Sequence, residues 1–422
     1  MADLARDAAL EALRRVFTQG AFAGAALRGI LGPKLDDRDR GLATELVYGV
    51  LRRRAQLDRA LSSQGRRLKD IDPKLHDVLR LGAYQLLFLD RVPDHAAVSS
   101  AVDQARARRG EGGAKQANAI LRRIADLPKE QRLPPPPPLA KDPIGHLASA
   151  GGLPRVLAEI LAADLGVPGA LSFAVASLER APLVLRANPL KTTAAALAEE
   201  TEGTVGAHPL AVHLPDRLGA VPADLLAVVE GRATPQDEAS MRVLDLLAPE
   251  SGESILDVCA APGGKTTAIA ERLQDRGQVL AYDRAIEKLP GVRESAARLG
   301  LHIVETIEVL PPRDQRFDRV LVDAPCSGLG TLRRHPEIRW RFAKEDLDRL
   351  EETQAGVLRE GAARVKVGGT LVYSVCTITT REGKARADQE LPGFERVETL
   401  VTGPSDPGQP DGFFAAKWIR RA

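Results

Sequence analysis

The chain has 422 residues, more than one hydrophobic core usually organises, so two or three domains are expected. With 44% hydrophobic and 27% charged residues it resembles soluble globular proteins, and no apolar run approaches the length of a bilayer-spanning helix. The N-terminus has no signal-peptide pattern, so we expect a cytoplasmic protein without a membrane partner. The three cysteines form no C-x-x-C motif, which argues against a zinc site or a disulfide framework, and no metal is expected.

Charge is distributed unevenly along the chain. The formal net charge is only +2, but the first 133 residues contain 25 Lys and Arg against 17 Asp and Glu. A basic N-terminal region favours a polyanionic partner such as RNA. The alternative is a helical domain with excess arginine on a solvated face.

The first third of the chain predicts helices joined by short turns, because apolar residues recur at helical spacing and strand-like alternation is missing. Asp72 followed by Pro73 is a typical helix start. We therefore predict an all-α domain over residues 1–130. The apolar faces include Leu42, Leu46, Val50 and Leu51, then Leu75, Val78, Leu79 and Leu86, then Ala117, Ile120, Leu121 and Ile124.

A run of five prolines, Pro134 to Pro138, follows this region. Such a run cannot enter a helix and favours extended polyproline II, which predicts a semi-rigid linker over 131–144. Residues 145–235 combine a predicted helix, Leu153–Leu165, with short strand-like pieces such as 183–186. We interpret them as a small α+β segment that also binds RNA.

From residue 236 onwards, short apolar runs alternate with helical stretches, which is typical of a parallel, doubly wound sheet. We predict a Rossmann-like α/β domain over 236–422. Four of the predicted strands end at a polar side chain: Asp257, Asp283, Asp323 and Cys376. Ligands of open parallel sheets bind beyond the carboxyl ends of the strands, so these four residues predict a single site.

The first of these strands leads into a glycine turn, CAAPGGKTT, at residues 259–267. A phosphate-binding P-loop would need glycine at Cys259, and a G-x-G-x-x-G fingerprint is absent. The turn therefore suits a cofactor without phosphates, such as S-adenosylmethionine, unless it is only a tight strand-to-helix connection. Asp283, about 20 residues further on, lies where a carboxylate commonly accepts hydrogen bonds from ribose, although it could instead cap a helix.

These motifs together resemble the RNA cytosine-5 methyltransferases. The matching segments are LDVCAAPGGKT at 256–266, DAPCSG at 323–328, YSVCT at 373–377 and DGFF at 411–414. The N-terminal third resembles the NusB-like RNA-binding domain in RDR at 38–40, ELVYGVLR at 45–52, LRLGAYQLL at 79–87 and NAILRR at 118–123. This combination is similar to the bacterial methyltransferases of small-subunit (16S) ribosomal RNA.

The resemblance implies S-adenosylmethionine as cofactor, 16S ribosomal RNA as partner and a monomeric enzyme. It implies that Cys376 attacks carbon 6 of cytosine, that Cys326 assists product release, that Asp323 binds the cytosine edge and that Lys265 lines the pocket. Cys259 would contribute only through its backbone. The residues implied in cofactor binding are Cys259, Ala260, Ala261, Pro262, Gly263, Gly264, Lys265, Asp283, Asp323 and, near the adenine, Glu308, with Glu305 as its rival.

The chain departs from the family pattern around the nucleophile. Cys376 lies between Val375 and Thr377 where the family has Thr and Ser. Further on, where the family tends to have acidic residues and an asparagine, this chain has TTREGK at 379–384. Lost hydrogen bonds there could slow the reaction. The alternatives are thus a non-catalytic RNA-binding assembly factor, or the same chemistry on transfer RNA. A basic, aromatic stretch, residues 333–341, suits either RNA contacts near the site or a solvated loop.

Overall fold

The computed structural model describes residues 3–32, 35–65, 68–215, 225–403 and 409–422. The α-helices are α1 (Leu4–Gln19), α2 (Ala23–Arg28), α3 (Asp37–Ser62), α4 (Pro73–Phe88), α5 (Asp94–Ala125), α6 (Pro143–Ala150), α7 (Arg155–Ala176), α8 (Ala194–Thr201), α9 (Leu226–Val229), α10 (Glu238–Leu247), α11 (Gly264–Arg272), α12 (Leu289–Leu299), α13 (Ile338–Arg341), α14 (Glu345–Ala362) and α15 (Lys384–Ala387). The β-strands are β1 (Val184–Ala187), β2 (Thr204–Val205), β3 (Ala211–His213), β4 (Ala233–Pro235), β5 (Ser254–Asp257), β6 (Gln278–Tyr282), β7 (Val304–Ile307), β8 (Phe317–Asp323), β9 (Val365–Val375), β10 (Phe394–Thr402) and β11 (Phe413–Arg420).

The chain folds into two compact units. The first unit contains the described residues up to Arg180 together with Leu332–Arg341, and the second contains most of the remainder. The first unit is helical in its described parts, and the second carries both β-sheets. The predicted fold class, an N-terminal helical region followed by a C-terminal Rossmann-like domain, is confirmed.

The core of the first unit is built from α1, α3, α4 and α5, whose apolar faces meet. Close packing of α3 against α4 depends on Gly49, since a Cβ atom there would lie 2.0 Å from Cζ of Tyr84. The Tyr84 hydroxyl donates a hydrogen bond of 2.6 Å to Oε1 of Glu45, which satisfies the polar end of this ring. Gly49, in the segment ELVYGVLR that resembles the NusB-like domain, is therefore needed for the close packing of these two helices.

Residues 332–341 complete the first unit. Arg339 is 1% exposed and its guanidinium donates to the backbone oxygen of Arg52 at 2.9 Å and to the backbone and hydroxyl oxygens of Ser177, both at 2.6 Å. Burial lowers the pKa of Arg339 to about 9. The Trp340 indole donates to the Leu51 carbonyl at 2.7 Å. From the sequence, this stretch suited either RNA contacts or a solvated loop. Arg339 and Trp340 instead pack within the helical unit.

We expected no segment as long and apolar as a membrane span, but helix α7 is one. Within its 22 residues, an 18-residue stretch is apolar enough, by length and composition alone, to cross a bilayer. The backbone, however, leaves the helical conformation at Gly166, where φ is +68° and ψ is 160°. The apolar residues are thus divided between two helical pieces, whereas a spanning helix needs about 20 continuous residues.

The second unit contains a small antiparallel sheet of order β2-β3-β1-β4 and a larger sheet of order β10-β11-β9-β8-β5-β6-β7. In the larger sheet the five strands from β9 to β7 are parallel, while β11 runs antiparallel to its two neighbours. Both faces of the sheet are covered, which explains the short, continuously apolar strands in the sequence.

Successive residues of the central strands enter different cores. Ile255 of β5 packs in a cluster with Ile269 of α11, whereas its neighbour Leu256 packs in a cluster with Leu358 of α14. This two-sided burial fixes the register of the parallel strands, because a shift by one residue would exchange the two faces. As a result the carboxyl ends of β9, β8, β5 and β6 are held side by side.

Candidate active site

The four polar strand ends predicted from the sequence lie along this carboxyl edge. Asp257 ends β5 and Asp323 ends β8, while Asp283 and Cys376 directly follow β6 and β9. The order β9-β8-β5-β6 makes each of these strands a neighbour of the next. The structure therefore brings the four residues to one continuous edge of the sheet, where α/β proteins bind ligands.

The glycine turn connects β5 to α11 at this edge. Gly263 has φ +102°, and a Cβ atom there would lie 3.2 Å from Cα of Val292, so both its conformation and its packing require glycine. Asp283 faces the turn: its carboxylate accepts hydrogen bonds from the backbone N–H of Ala261 at 3.0 Å and of Ala285 at 2.8 Å. Each carboxylate oxygen retains a lone pair that a ribose hydroxyl could use. These residues fit a nucleoside cofactor without phosphates.

The structure distinguishes the two glutamates considered for the adenine contact. Ile307, the last residue of β7, pairs with Tyr282 of β6, so Glu308 follows at the carboxyl edge beside Asp283. Glu305 lies within β7 and pairs with Leu280, away from that edge, and both glutamates are exposed. This placement favours Glu308, and its adenine contact stays a prediction.

Asp257 is the most deeply buried of the carboxyl groups at the strand ends. It is 1% exposed and accepts a hydrogen bond of 2.8 Å from the hydroxyl of Thr266 and a longer one, 3.4 Å, from the N–H of Cys259. Burial raises the pKa of Asp257 to about 7, since two neutral donors do not replace the lost hydration of a carboxylate. The acid can therefore hold its proton near neutral pH.

This raised pKa predicts a pH-dependent stability. Between the ordinary pKa of 3.8 and about 7, the folded protein keeps the Asp257 proton that the unfolded chain has lost. Asp257 therefore makes the free energy of unfolding decrease with rising pH, by up to about 1.4 kcal/mol per pH unit. We expect Asp257→Asn to remove this contribution. Urea unfolding at pH 5, 6 and 7 measures it, and equal slopes for the two proteins would contradict it. Thr266→Val, which leaves the carboxyl group in place, should retain the steep slope.

Lys265 and Asp323 form an ion pair at the centre of the site. Nζ of Lys265 lies 2.7 Å from Oδ2 of Asp323 and 5.1 Å from the ring centre of Phe413. Burial acts to lower the pKa of Lys265, but the adjacent Asp323 outweighs it and raises that pKa. The hydroxyl of Ser374 donates to Oδ1 of Asp323 at 2.6 Å. Both oxygens of Asp323 are thereby held in hydrogen bonds.

Two of the three cysteines meet at the same place. Sγ of Cys326 lies 3.3 Å from Sγ of Cys376, although the residues are 50 positions apart in sequence. The hydrogen bond to Cys376, together with burial, raises the pKa of Cys326 well above its usual range. Cys326 thus keeps its proton at neutral pH. Burial likewise raises the pKa of Cys259, which packs beside the apolar cluster of β5 and β8 and is suited to a structural role.

Several residues that shape this site were not predicted from the sequence. Ser374 is directly opposite Asp323 in the pairing of β8 with β9, a relation that only the sheet register reveals. The DGFF motif supports the cysteines through its glycine, because Gly412 donates to the carbonyl of Gly330 at 2.9 Å and Gly330 donates to the carbonyl of Cys376 at 3.1 Å. A Cβ atom at Gly330 would lie 1.9 Å from the Gly412 carbonyl oxygen. The glycine in the motif was the available signal.

No group of three or more His, Cys, Asp or Glu side chains suited to a metal ion occurs among the described residues. The site consists instead of an ion pair, a thiol pair and a glycine turn. These groups can provide a sulfur nucleophile, a proton acceptor and a fixed carboxylate within one edge of the sheet.

Comparison with known proteins links both units to described families. Residues 244–417 match the family model of 16S rRNA methyltransferase RsmB/F, and residues 3–126 match that of the NusB family. A Bacillus subtilis (strain 168) protein named "Probable ribosomal RNA small subunit methyltransferase B" is 36% identical and aligns over 92% of this chain and 89% of its own length. "Ribosomal RNA small subunit methyltransferase B" of Klebsiella pneumoniae (strain 342) is 33% identical, covering 99% of this chain and 98% of its own.

Solved structures share the fold. The structure described as "Crystal Structure of PH0851" superposes with a TM-score of 0.79 at 23% identity and covers 100% of this chain and 99% of its own. A "Methyltransferase Homolog Protein from Pyrococcus Horikoshii" gives a TM-score of 0.55 at 24% identity, over 65% of this chain and 98% of its own. At these identities the likeness concerns architecture, and it agrees with the Rossmann-like sheet described above.

Proposed function

The chain belongs to the ribosomal RNA small subunit methyltransferase B family, and from this membership we propose that it methylates carbon 5 of a cytosine in 16S ribosomal RNA. Membership itself makes the protein an S-adenosylmethionine-dependent RNA methyltransferase, and it confirms the predicted cofactor and the RNA partner. The ring position, a covalent intermediate on Cys376 and the choice of 16S ribosomal RNA are the proposal.

The observation that carries the proposal is the contact between Cys326 and Cys376 beside Asp323. Carbon 5 of cytosine is a poor nucleophile until a thiolate adds to carbon 6, so a chemistry at carbon 5 needs a sulfur nucleophile. It also needs a second group to remove the carbon 5 proton afterwards. Two thiols whose sulfur atoms lie 3.3 Å apart supply both groups at one position.

The first step belongs to Cys376. Its thiolate forms a bond to carbon 6, and the electron pair of the carbon 5–carbon 6 double bond becomes available at carbon 5. When bound, S-adenosylmethionine supplies an electrophilic methyl group on a sulfonium. Carbon 5 would accept that methyl group as the methyl–sulfonium bond breaks, and the electron pair of that bond would leave with S-adenosylhomocysteine. Loss of the carbon 5 proton then restores the double bond, and the electron pair of the carbon–sulfur bond returns to Cys376.

Cys326 is suited to accept this proton because its protonation is coupled to Cys376. The main factor that raises the pKa of Cys326 is its hydrogen bond with Cys376. Once Sγ of Cys376 is bonded to carbon it is no longer an anionic neighbour, and Cys326 loses its proton more easily. The second thiol thus remains protonated during attack. After the adduct has formed it releases that proton to solvent, and the resulting thiolate accepts the carbon 5 proton.

Asp323 and Lys265 orient the base in this scheme. The carboxylate of Asp323 is held by Lys265 and Ser374, and it retains lone pairs for the amino group and protonated ring nitrogen 3 of cytosine. A hydrogen bond to protonated nitrogen 3 stabilises the adduct, in which the ring accepts electron density. The target base must be unstacked, because carbon 6 is inaccessible within a helix.

The proposal is tested by methyl transfer to defined RNA. The full-length protein is incubated with labelled S-adenosylmethionine and 16S ribosomal RNA, or transfer RNA, from cells that lack this protein, followed by nucleoside analysis. We expect 5-methylcytidine at one position of 16S ribosomal RNA. Label in transfer RNA alone would assign the same chemistry to the other substrate, label at another atom would exclude the mechanism, and binding without label would indicate an assembly factor.

A further inference from the structure

Glu382 is a buried carboxylate in the segment that follows Cys376. It is 0% exposed, and its two oxygens accept five hydrogen bonds. Among the described residues these donors are all neutral, and no ion pair with Lys or Arg is found. The donors are the N–H of Ser327 at 2.7 Å, the hydroxyls of Ser327 at 2.6 Å, Thr377 at 3.1 Å and Thr379 at 2.7 Å, and the side-chain amide of Gln354 at 3.1 Å.

These donors connect the two loops that carry the reactive sulfurs. Ser327 directly follows Cys326, and Thr377 directly follows Cys376. The two hydroxyls also lie 2.9 Å from each other. Gln354 of α14 donates in addition to the carbonyl of Pro325, immediately before Cys326, at 3.0 Å. The carboxylate of Glu382 is therefore the common acceptor for residues that flank both cysteines.

The backbone of Glu382 is fixed as well. Its carbonyl accepts a hydrogen bond of 2.8 Å from the hydroxyl of Tyr373, which is fully buried in β9. Because its backbone is anchored to the central sheet, Glu382 can hold the Cys326 and Cys376 loops at a fixed separation. This differs from the loss of hydrogen bonds that the sequence analysis expected at residues 379–384.

We propose that Glu382 is a positioning residue for methyl transfer, holding the Cys326 and Cys376 loops at the separation that the two-thiol reaction requires. This inference rests on the proposed cytosine-5 chemistry and assigns to that reaction a residue that does not touch the reacting atoms. Glu382 acts through Ser327 and Thr377.

A second property of Glu382 separates this role from a purely structural one. Its negative charge is among the causes that raise the pKa of Cys326. The same group that fixes the distance between the sulfurs thus helps Cys326 to keep its proton until Cys376 has reacted. The charge of Glu382 thus adds to the larger effects of Cys376 and of burial on the pKa of that thiol.

Glu382→Gln is the most informative substitution. The amide oxygen can still accept from the N–H of Ser327 and the amide of Gln354, but the NH2 group now faces three hydroxyls that previously donated. The shape is retained while the charge and part of the network are lost. We expect kcat to fall roughly 10- to 100-fold, as when outer partners of reactive groups are removed, with little change in KM for RNA.

The thiol chemistry gives an independent measurement. The rate of alkylation of Cys326 by iodoacetamide, followed over pH by mass spectrometry of its own peptide, should shift to lower pH in Glu382→Gln. Binding of S-adenosylmethionine, measured by calorimetry, should remain at the wild-type value. A wild-type kcat, or a loss of kcat matched by an equal loss of cofactor affinity without the alkylation shift, would overturn the inference.

Two further sets of variants make the result independent of folding. Ser327→Ala and Thr377→Val each remove one hydroxyl donor beside a reactive cysteine and should each lower kcat at unchanged cofactor affinity. If Glu382→Gln does not fold, these two decide, and wild-type kcat in both would overturn the inference. The matched control is Glu238→Gln, because Glu238 is also buried and accepts from the N–H of His208 and from His213, away from the cysteine loops. We expect it to retain wild-type kcat.

Assays of the wild-type protein and Cys376→Ala in parallel test the positioning role of Glu382 separately from the proposed cytosine-5 methyl transfer. Failure of the wild type to form 5-methylcytidine on any RNA would overturn both. An active wild type together with an equally active Glu382→Gln would overturn the positioning role alone and leave the two-thiol chemistry intact.

Discussion

Cys376→Ala is expected to abolish methyl transfer, lowering the rate by roughly 10⁴-fold or more, because carbon 5 cannot become a nucleophile without a sulfur atom on carbon 6. Cys376 is half-buried and lies at the end of a strand rather than in the core, so the change should leave the fold intact. Incorporation of the labelled methyl group into RNA measures the effect.

The control for this variant is to show that Cys376→Ala still folds and still binds the cofactor. Its thermal unfolding and its affinity for S-adenosylmethionine should match the wild type, since neither depends on the reacting sulfur. Cys376→Ser should be equally inactive, because a hydroxyl ionises far less readily than a thiol. Substantial turnover by either variant would rule out Cys376 as the nucleophile.

Cys326→Ala is expected to start the reaction but not to finish it, whereas Cys376→Ala should not start it. Attack by Cys376 and methyl transfer need no second thiol, whereas loss of the carbon 5 proton does. The protein should therefore accumulate covalently attached to methylated RNA, visible as a slower band on a denaturing gel and sensitive to ribonuclease.

The double variant Cys326→Ala/Cys376→Ala provides the control, because it lacks the attacking sulfur and should give no such band. Normal turnover by Cys326→Ala, without a trapped complex, would show that another group removes the proton. A trapped complex in the double variant would show that the attachment does not involve Cys376.

Much of the fold and part of the site could be predicted because parallel sheets follow simple rules. The apolar runs ending at Asp257, Asp323 and Cys376 are enough to place these residues on one edge, since the carboxyl ends of parallel strands coincide. The glycine turn could also be predicted from the sequence. Gly263 adopts a backbone conformation that other residues rarely adopt, so a turn of this kind needs glycine. Their roles in binding and catalysis remain predictions.

Contacts that depend on backbone acceptors could not be predicted. Arg339 donates to the carbonyls of Arg52 and Ser177, and an amide carbonyl leaves no mark in a sequence. The sequence shows only a basic residue in a basic stretch, which resembles an RNA contact. The role of Glu382 could not be predicted for a related reason. Most of its donors are serines and threonines, residues that are also common on protein surfaces.

The assignment of Leu332–Arg341 to the helical unit has a consequence for anyone who wishes to divide this protein. A gene fragment that stops at Arg180 encodes most of that unit but omits ten residues that are encoded some 150 codons later. Arg52, whose guanidinium donates to the carbonyl of Arg333 at 3.0 and 3.2 Å, would then be left without this acceptor. The helical unit therefore cannot be produced complete from the N-terminal part of the gene alone, because the C-terminal part encodes residues that pack inside it.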